Sequence, residues 1–128
     1  MNPGCPFCSP DVDRLFFEDD LVRGMTDAFP LNPGHALIVP RRHIASWFDA
    51  TDDERMSLLR GVDAARSVAL ARHRADGFNI GINEGAAAGR TIPHLHVHVI
   101  PRLIGDVADP RGGIRWVVPQ RAAYWEAT

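Results

Sequence analysis

The segment HLHVHVI, from His94 to Ile100, alternates histidine with apolar side chains. Successive side chains of a β-strand point to opposite faces of the sheet, so the alternation predicts a strand. At a rise of about 3.3 Å per residue, His94, His96 and His98 would follow one another along one face at intervals of roughly 6.6 Å. The opposite face would anchor the strand in the core through three apolar side chains, Leu95, Val97 and Val99.

The remaining strands are predicted from shorter apolar runs. Leu15–Phe17 and Leu21–Met25 flank the acidic triplet EDD, a pattern typical of a β-hairpin. A buried strand is expected at His35–Pro40, directly after the turn-forming sequence FPLNPG. Two more strands are predicted at Phe78–Asn83 and Ile114–Val118.

One long helix is predicted in the middle of the chain. Thr51 and Glu54 form a capping box at its start, and Gly77 is expected to end it. Its apolar side chains recur at helical spacing and are Met56, Leu59, Val62, Ala65 and Ala69. Strands on both sides of one long helix indicate an α+β fold with a largely antiparallel sheet.

Composition limits the chemistry and the partners. The 128 residues fit one domain, 1–128, with a cysteine-containing leader at 1–10 and a C-terminal tail at 105–128. All 14 basic residues are arginine, which excludes a lysine Schiff base and a P-loop lysine. The formal charge of −2 argues against binding to a nucleic-acid polymer. The short apolar runs argue against a membrane partner, and the two cysteines favour a reduced, cytoplasmic protein.

A face of three histidines allows three interpretations. It could be a solvated polar surface. His-x-His on a strand is also an arrangement that binds catalytic zinc. Because imidazole titrates near neutral pH, the same face could supply a nucleophile, a proton donor and a phosphate contact. The residues alone leave these alternatives open.

Several stretches resemble the histidine triad (HIT) family of nucleotide hydrolases and transferases. The signature is HLHVHVIPR at His94–Arg102, preceded by FNIGINEGAAAGRTIP from Phe78 onward. NPGHALIVPRRHI at Asn32–Ile44 resembles the family's strand with its following histidine. The resemblance covers about residues 5 to 104, and the tail GDVADPRGGIRWVVP is similar to a bacterial diadenosine tetraphosphate hydrolase-like branch. It implies a HIT-like α+β fold with a mainly antiparallel, about five-stranded sheet, one long helix and a short helix, in a homodimer.

The resemblance also implies a reaction. His96, the middle histidine, would attack the α-phosphorus of a nucleotide and form a nucleotidyl-histidine intermediate. A backbone carbonyl near His94 would fix the tautomer of His96, while His98 and His35 would contact the phosphate oxygens. The substrate would be an adenine-type nucleotide, either a dinucleoside polyphosphate or a related AMP ester. The resemblance places its ribose and phosphate contacts at Asp27, Asn83, Gly89, Arg90 and Thr91.

Arg90 departs from the family pattern, in which glutamine is common at this position. A guanidinium group offers five donors and a fixed positive charge, which suit bidentate recognition of phosphate. We therefore expect a preference for polyanionic leaving groups, such as a nucleoside polyphosphate.

The CPFC motif at Cys5–Cys8 supports either redox chemistry or half of a zinc site. Redox chemistry is disfavoured because the motif lies in a proline-rich leader. The resemblance implies that Cys5, Cys8, His43 and His94 bind a structural zinc ion, which would pin the leader against the catalytic strand without taking part in bond cleavage. In the competing interpretation the thiols are free and His94 only orients the strand.

Two other functions stay open at the level of sequence. A non-catalytic nucleotide-binding or signalling module would keep the fold without turnover. A zinc-dependent hydrolase would use the histidine triad as metal ligands, and chelation would abolish its activity. The complete triad together with His35 favours the nucleotide hydrolase, and no organic cofactor is expected.

Overall fold

The sheet begins with the hairpin predicted around the acidic triplet. The computed structural model describes residues 2–126. Within them, β1 (Leu15–Glu18) pairs antiparallel with β2 (Val22–Thr26). The carboxylate of Asp19 closes the turn, because its Oδ1 accepts two backbone N–H groups from the following residues, each at 2.8 Å. Local side-chain to backbone bonding of this kind explains why the two apolar runs fold back on each other.

Three further strands complete a five-stranded sheet. They are β3 (Ala36–Pro40), β4 (Gly77–Gly81) and β5 (Val97–Arg102). The spatial order is β1-β2-β3-β5-β4, and each neighbouring pair is antiparallel. A long helix, α1 (Asp52–Arg72), and a short one, α2 (Pro119–Ala122), accompany the sheet. The predicted fold class is therefore confirmed.

β3 is buried on both faces and separates two parts of the core. Ile38 packs with residues of α1, whereas its neighbours Leu37 and Val39 pack with the cysteines and Phe7 of the leader. His98 of β5 is in register with Leu37. Residues in register on two paired strands point to the same face of the sheet. The side chain of His98 therefore lies on the same side as Leu37 and the leader.

The start of α1 is as predicted, and its end is not. The hydroxyl of Thr51 accepts the N–H of Glu54 at 3.1 Å, and the Glu54 carboxylate accepts the N–H of Thr51 at 2.9 Å. The helix ends at Arg72, however, and Gly77 is the first residue of β4. The physical reason is that the N–H of Asp76 already bonds to the carbonyl of Arg102, at 2.8 Å, so the chain has joined the sheet before it reaches Gly77.

The predicted apolar stripe of α1 was also wrong in its first half. Met56 and Leu59 are 53% and 54% exposed. The face that meets the sheet instead carries small side chains four residues apart, Ser57, Gly61, Ala65 and Ala69, together with Leu58. Small residues let the helix approach β3 closely, and a Cβ atom built on Gly61 would lie 2.4 Å from Cγ2 of Ile38. Backbone proximity therefore decides which face is buried.

We expect Gly61→Ala to destabilise the protein by about 1–3 kcal/mol, because overpacking against Ile38 outweighs the better helix propensity of alanine. Urea unfolding followed by circular dichroism measures the change. Ser67→Ala, on the exposed side of the same helix, is the matched control. A Gly61→Ala protein as stable as the unsubstituted chain would contradict this account of the helix–sheet contact.

Two predicted strands also have different boundaries or conformations. The histidine strand was predicted to begin at His94, but β5 begins at Val97, because the N–H of Leu95 bonds outside the sheet to the carbonyl of Ile44 at 2.7 Å. The segment predicted as a strand at 114–118 lies in a 3₁₀ turn, Gly113–Val117. Two glycines with positive φ angles, Gly112 at +90° and Gly113 at +47°, redirect the chain at the start of this turn.

The predicted strand at 78–83 also ends early, at Gly81. Residues 82–85 leave the sheet and lead into the loop before the histidines. Within residues 2–126, no helix combines the length and the apolar character needed to cross a membrane.

Candidate active site and metal centre

The three histidines of the signature divide between two neighbouring sites. His94 lies in a bend before β5 with its ring against the leader cysteines. The rings of His96 and His98 lie next to each other, with centroids 5.1 Å apart. His94 and His96 are buried, and His98 is partly buried. Because His94 leaves the strand pattern early, its ring turns to the cysteines, while the rings of His96 and His98 stay together.

The ring of His96 has a defined orientation. Its Nδ1 lies 2.8 Å from the carbonyl oxygen of His94. A carbonyl oxygen only accepts hydrogen bonds, so Nδ1 carries the proton and Nε2 keeps its lone pair. The ring of Phe7 packs against His96 at a centroid distance of 5.0 Å and limits its rotation. In the neutral ring, the nitrogen that remains nucleophilic is therefore Nε2.

A second group of polar side chains lies beside His98. Nε2 of His35 is 3.0 Å from Nδ1 of His98 and 3.4 Å from a carboxylate oxygen of Asp27. Burial lowers the pKa of His35, and the negative charge of Asp27 opposes that shift. Burial also lowers the pKa of His98, and the neighbouring His96 and His35 lower it further. Both rings are therefore held mainly neutral at pH 7.

The loop between β4 and β5 contains the predicted phosphate contacts. A 3₁₀ turn, Ala86–Ala88, lies between Gly85 and Gly89, whose φ angles of +94° and +97° favour glycine. Asn83 is exposed, as is Gly89. The guanidinium group of Arg90 donates to the carbonyl of Ala45 at 3.3 Å, which ties this loop to the segment before α1.

Thr91 lies beside the cysteine-containing leader. It lines an open depression together with Cys5 and His43. Of the five predicted substrate contacts, Asp27 is in direct contact with His35, at 3.4 Å, and the other four lie along the loop that leads from β4 to His94.

The four predicted zinc ligands converge on one point. The donor atoms of Cys5, Cys8, His43 and His94 all lie within 4.8 Å of one another. Nδ1 of His94 is 3.4 Å from Sγ of Cys5, 3.6 Å from Sγ of Cys8 and 3.1 Å from Nδ1 of His43. For zinc–nitrogen and zinc–sulfur bonds of about 2.1 and 2.3 Å, the edges of a tetrahedron are about 3.4–3.8 Å long. The two nitrogen–sulfur distances fall in that range, and the nitrogen–nitrogen distance is shorter by about 0.3 Å.

The ring of His94 is oriented as a metal ligand. Its Nε2–H donates to the carbonyl oxygen of Pro40 at 2.8 Å, so Nδ1 keeps a lone pair directed at the two cysteine sulfurs. The donor set of two sulfurs and two imidazoles is one that zinc prefers. The residues present therefore fit a structural zinc ion.

The sequence of residues 11–103 matches the family described as HIT domain. The chain belongs to the HIT family. An AP-4-A phosphorylase of Mycobacterium tuberculosis is 41% identical over 113 residues, covering 82% of this chain and 57% of that protein. The asymmetrical bis(5'-nucleosyl)-tetraphosphatase of Schizosaccharomyces pombe is 34% identical over 100 residues, covering 78% of this chain and 55% of that protein. This HIT chain thus spans little more than half the length of these two relatives.

Solved HIT structures share the fold. A Zn-bound histidine triad family protein from Mycobacterium smegmatis superposes with a TM-score of 0.73 at 31% identity, covering 84% of this chain and 81% of that one. A HIT family protein from Bacillus anthracis also gives 0.73, at 28% identity, covering 83% of this chain and 78% of that one. These likenesses confirm the family assignment and the fold that the resemblance implied.

Sequence reasoning missed three contacts around the histidines. Two involve backbone groups, the carbonyl of Pro40 at His94 and the N–H of Leu31 at His35. The third is Phe7, which packs against His96 from between the two cysteines. A backbone group leaves no trace in residue identity, so the first two had no signal. The position of Phe7 inside the CPFC motif was a signal, because any cluster that uses both cysteines also places the residue between them.

Proposed function

We propose that this HIT protein transfers a nucleoside monophosphate from a nucleotide to His96 and then to water or another acceptor. The observation that carries the proposal is the His96 ring, whose Nδ1–H bonds to the His94 carbonyl at 2.8 Å and whose Nε2 lone pair is available for attack. The names of the M. tuberculosis and S. pombe relatives support a dinucleoside polyphosphate, or a related AMP ester, as the substrate.

The reaction has two half-steps. In the first, the Nε2 lone pair of His96 forms a bond to the α-phosphorus, and the bond from phosphorus to the bridging oxygen breaks. The electron pair of that bond departs with the leaving nucleotide. In the second half-step, a water oxygen attacks phosphorus, the nitrogen–phosphorus bond returns its electron pair to His96, and AMP leaves while the water releases a proton to bulk solvent. Imidazole suits both steps because its neutral form is a nucleophile and its phosphorylated cation is a leaving group.

The remaining site residues are proposed as binding contacts. Asp27 would accept hydrogen bonds from ribose hydroxyls, since a carboxylate offers several acceptor sites. The loop from Asn83 to Thr91 would approach the phosphates, with the backbone of Gly89 and the guanidinium of Arg90 as donors. Contact of Asp27 with His35, at 3.4 Å, supports its place beside the reacting group.

We also propose a structural zinc ion at the four-donor centre. Cys5, Cys8, His43 and His94 would hold it, and the ion would cross-link the leader to the catalytic strand. Because the carbonyl of His94 bonds to His96, the same residue that ligates the metal also orients the proposed nucleophile. Bond making and breaking are assigned to His96 and its neighbours.

The same proposal includes a single HIT-like domain that acts as a homodimer in the cytoplasm. The two unpaired thiols support a reducing compartment, and family membership supports the dimer. Sedimentation equilibrium tests the assembly directly. A mass of twice the 14.1 kDa chain is expected, and a single-chain mass at micromolar concentration would contradict the dimer.

Single-turnover trapping tests the catalytic proposal. Protein in excess over diadenosine tetraphosphate, quenched after short intervals, is expected to carry one nucleotidyl group on His96 when analysed by mass spectrometry. A parallel panel of dinucleoside polyphosphates and adenylated amines identifies the preferred leaving group. If no adduct forms and no substrate in the panel releases AMP, the chain is a nucleotide-binding module instead. Loss of activity on chelation with the fold intact would favour a zinc hydrolase.

Arg90→Gln is expected to reduce the preference for polyanionic leaving groups. The ratio of kcat/KM for diadenosine tetraphosphate to kcat/KM for an adenylated neutral amine should fall about tenfold, the effect of losing one charge-assisted hydrogen bond. Arg72→Gln, at the exposed end of α1, is the matched control. An unchanged ratio would remove Arg90 from the proposed leaving-group site.

A further inference from the structure

The C-terminal tail packs on the same face of the sheet as the proposed catalytic histidines. Asn79 of β4 is in register with Ile100 of β5, so the two side chains point to one face. Alternate residues of a strand share a face, so His98 and Arg102 point there too. A Cβ atom built on Gly113 of the tail would lie 3.4 Å from Nδ2 of Asn79. The tail therefore lies on the face that carries His98.

The leader and the tail meet this face at two different places. Phe7 of the leader packs against the ring of His96 at a centroid distance of 5.0 Å. The tail meets the face at Arg102, four residues beyond His98 along β5, or about 13 Å at a rise of about 3.3 Å per residue. A long ligand held at His96 can therefore extend along β5 to the tail.

The tail encloses a cavity of about 430 Å³ where it meets Arg102, here called the tail cavity. Its walls include Val107, Ala108, Pro110 and Trp116, together with two charged side chains, Arg102 and Asp109. Small-molecule sites commonly have volumes of about 300–1,000 Å³ and mainly apolar walls. The indole Nε1–H of Trp116 donates to the carbonyl of Arg111 at 2.7 Å, which fixes the orientation of the aromatic ring.

The cationic side chains at the tail cavity are already paired. Nε and Nη2 of Arg102 donate to the carboxylate of Asp106 at 2.7 and 2.8 Å, and Nη1 donates to Asn79 at 2.6 Å. Nη2 of Arg111 donates to the carboxylate of Asp109 at 2.9 Å. Paired guanidinium groups attract phosphate weakly, and the carboxylate of Asp109 repels it. The tail cavity therefore suits an uncharged, planar group that carries hydrogen-bond donors.

We propose that the tail cavity binds the leaving nucleoside of a dinucleoside polyphosphate, the one that departs when His96 attacks phosphorus. Its base would stack on Trp116, while Asp109 accepts hydrogen bonds from ribose hydroxyls or an exocyclic amine. The transferred nucleoside is assigned to Asp27, so the two nucleosides occupy separate ends of one face. The identity of the ligand rests on the proposed function.

Calorimetry on His96→Ala protein tests the tail cavity without chemistry. Two ligands are compared, diadenosine tetraphosphate and adenosine tetraphosphate, which has the same number of phosphates and lacks the second nucleoside. Adding Trp116→Ala should raise the Kd for diadenosine tetraphosphate about tenfold, the size of effect expected for base–aromatic stacking. The Kd for adenosine tetraphosphate should not change. Tyr124→Ala, which removes an exposed aromatic ring of the tail outside the cavity walls, is the matched control.

An equal effect of Trp116→Ala on both ligands, or no effect on either, would overturn the proposal. Because Trp116 also bonds within the tail, Ala108→Phe provides a second test that adds bulk at the cavity wall and removes no side-chain hydrogen bond. It should likewise weaken binding of diadenosine tetraphosphate alone, and unchanged affinity would count against the subsite. These affinities do not depend on turnover. A selective loss here without a trapped adduct at His96 would overturn the proposed reaction and keep the nucleoside subsite.

Discussion

Replacing His96 with alanine is expected to lower kcat for dinucleoside polyphosphate hydrolysis by about 10⁴-fold or more, the usual size of effect when a covalent nucleophile is removed. The reason is that Nε2 of His96 is the nitrogen left free by the bond to the His94 carbonyl, so its removal abolishes the covalent route. Steady-state rates measure the loss. Single-turnover trapping should detect no nucleotidylated protein in the variant.

The chain offers a matched control for this substitution. His73 is an exposed histidine at the end of α1 and lies outside the His94–His98 signature. His73→Ala should therefore retain the activity and the adduct of the unsubstituted protein. Activity of His96→Ala within about tenfold of the unsubstituted protein would contradict covalent catalysis at this position. Nucleotide binding measured by calorimetry separates lost chemistry from lost substrate affinity.

Removal of zinc is expected to have the largest effect on stability. A ligand present at about 1,000 times its dissociation constant stabilises the folded state by about 4 kcal/mol. For a chain of this size, such a loss corresponds to a fall in Tm of roughly 10–20 °C. We therefore expect the purified protein to contain about one zinc per chain, as measured by metal analysis. Chelation should lower Tm by that amount.

Cys8→Ser tests the same centre without a chelator. Sγ of Cys8 lies 3.2 Å from Nδ1 of His43 and 3.6 Å from Nδ1 of His94, so the substitution removes one ligand from between two imidazoles. Ser9→Ala, at the exposed neighbouring position, is the control and should keep its metal. A purified protein without zinc, whose Tm does not respond to added zinc, would show that the thiols are free.

The response of activity to chelation distinguishes the role of the metal. A structural ion holds the leader and His94 in place, so turnover at low temperature should fall only to the extent that the fold is lost. If the ion were catalytic, its removal by a chelator would abolish turnover while circular dichroism still reports a folded protein. The tetrahedral convergence of four protein ligands favours the structural role, because catalytic zinc sites keep an open position.

Local patterns predicted most of the secondary structure. The acidic turn between β1 and β2, the capping box at Thr51 and the alternation after His94 each depend on residues close together in the chain. The errors arose where distant segments decide. The end of α1 depends on Asp76 reaching Arg102, and its buried face depends on the approach of Gly61 to Ile38. Helical periodicity alone cannot distinguish two adjacent faces when small residues mark the contact.

The sequence by itself determined the family, the histidine that is the proposed nucleophile and the four donors of the candidate zinc site. It did so because these features depend on residue type and spacing. Only the tertiary structure decided which groups each histidine ring contacts. His94 turns to the cysteines, His96 is held by a carbonyl and His98 is linked through His35 to the amide of Leu31. The physical reason is that an imidazole's tautomer depends on the hydrogen-bonding groups that surround it, and here two of those groups belong to the backbone.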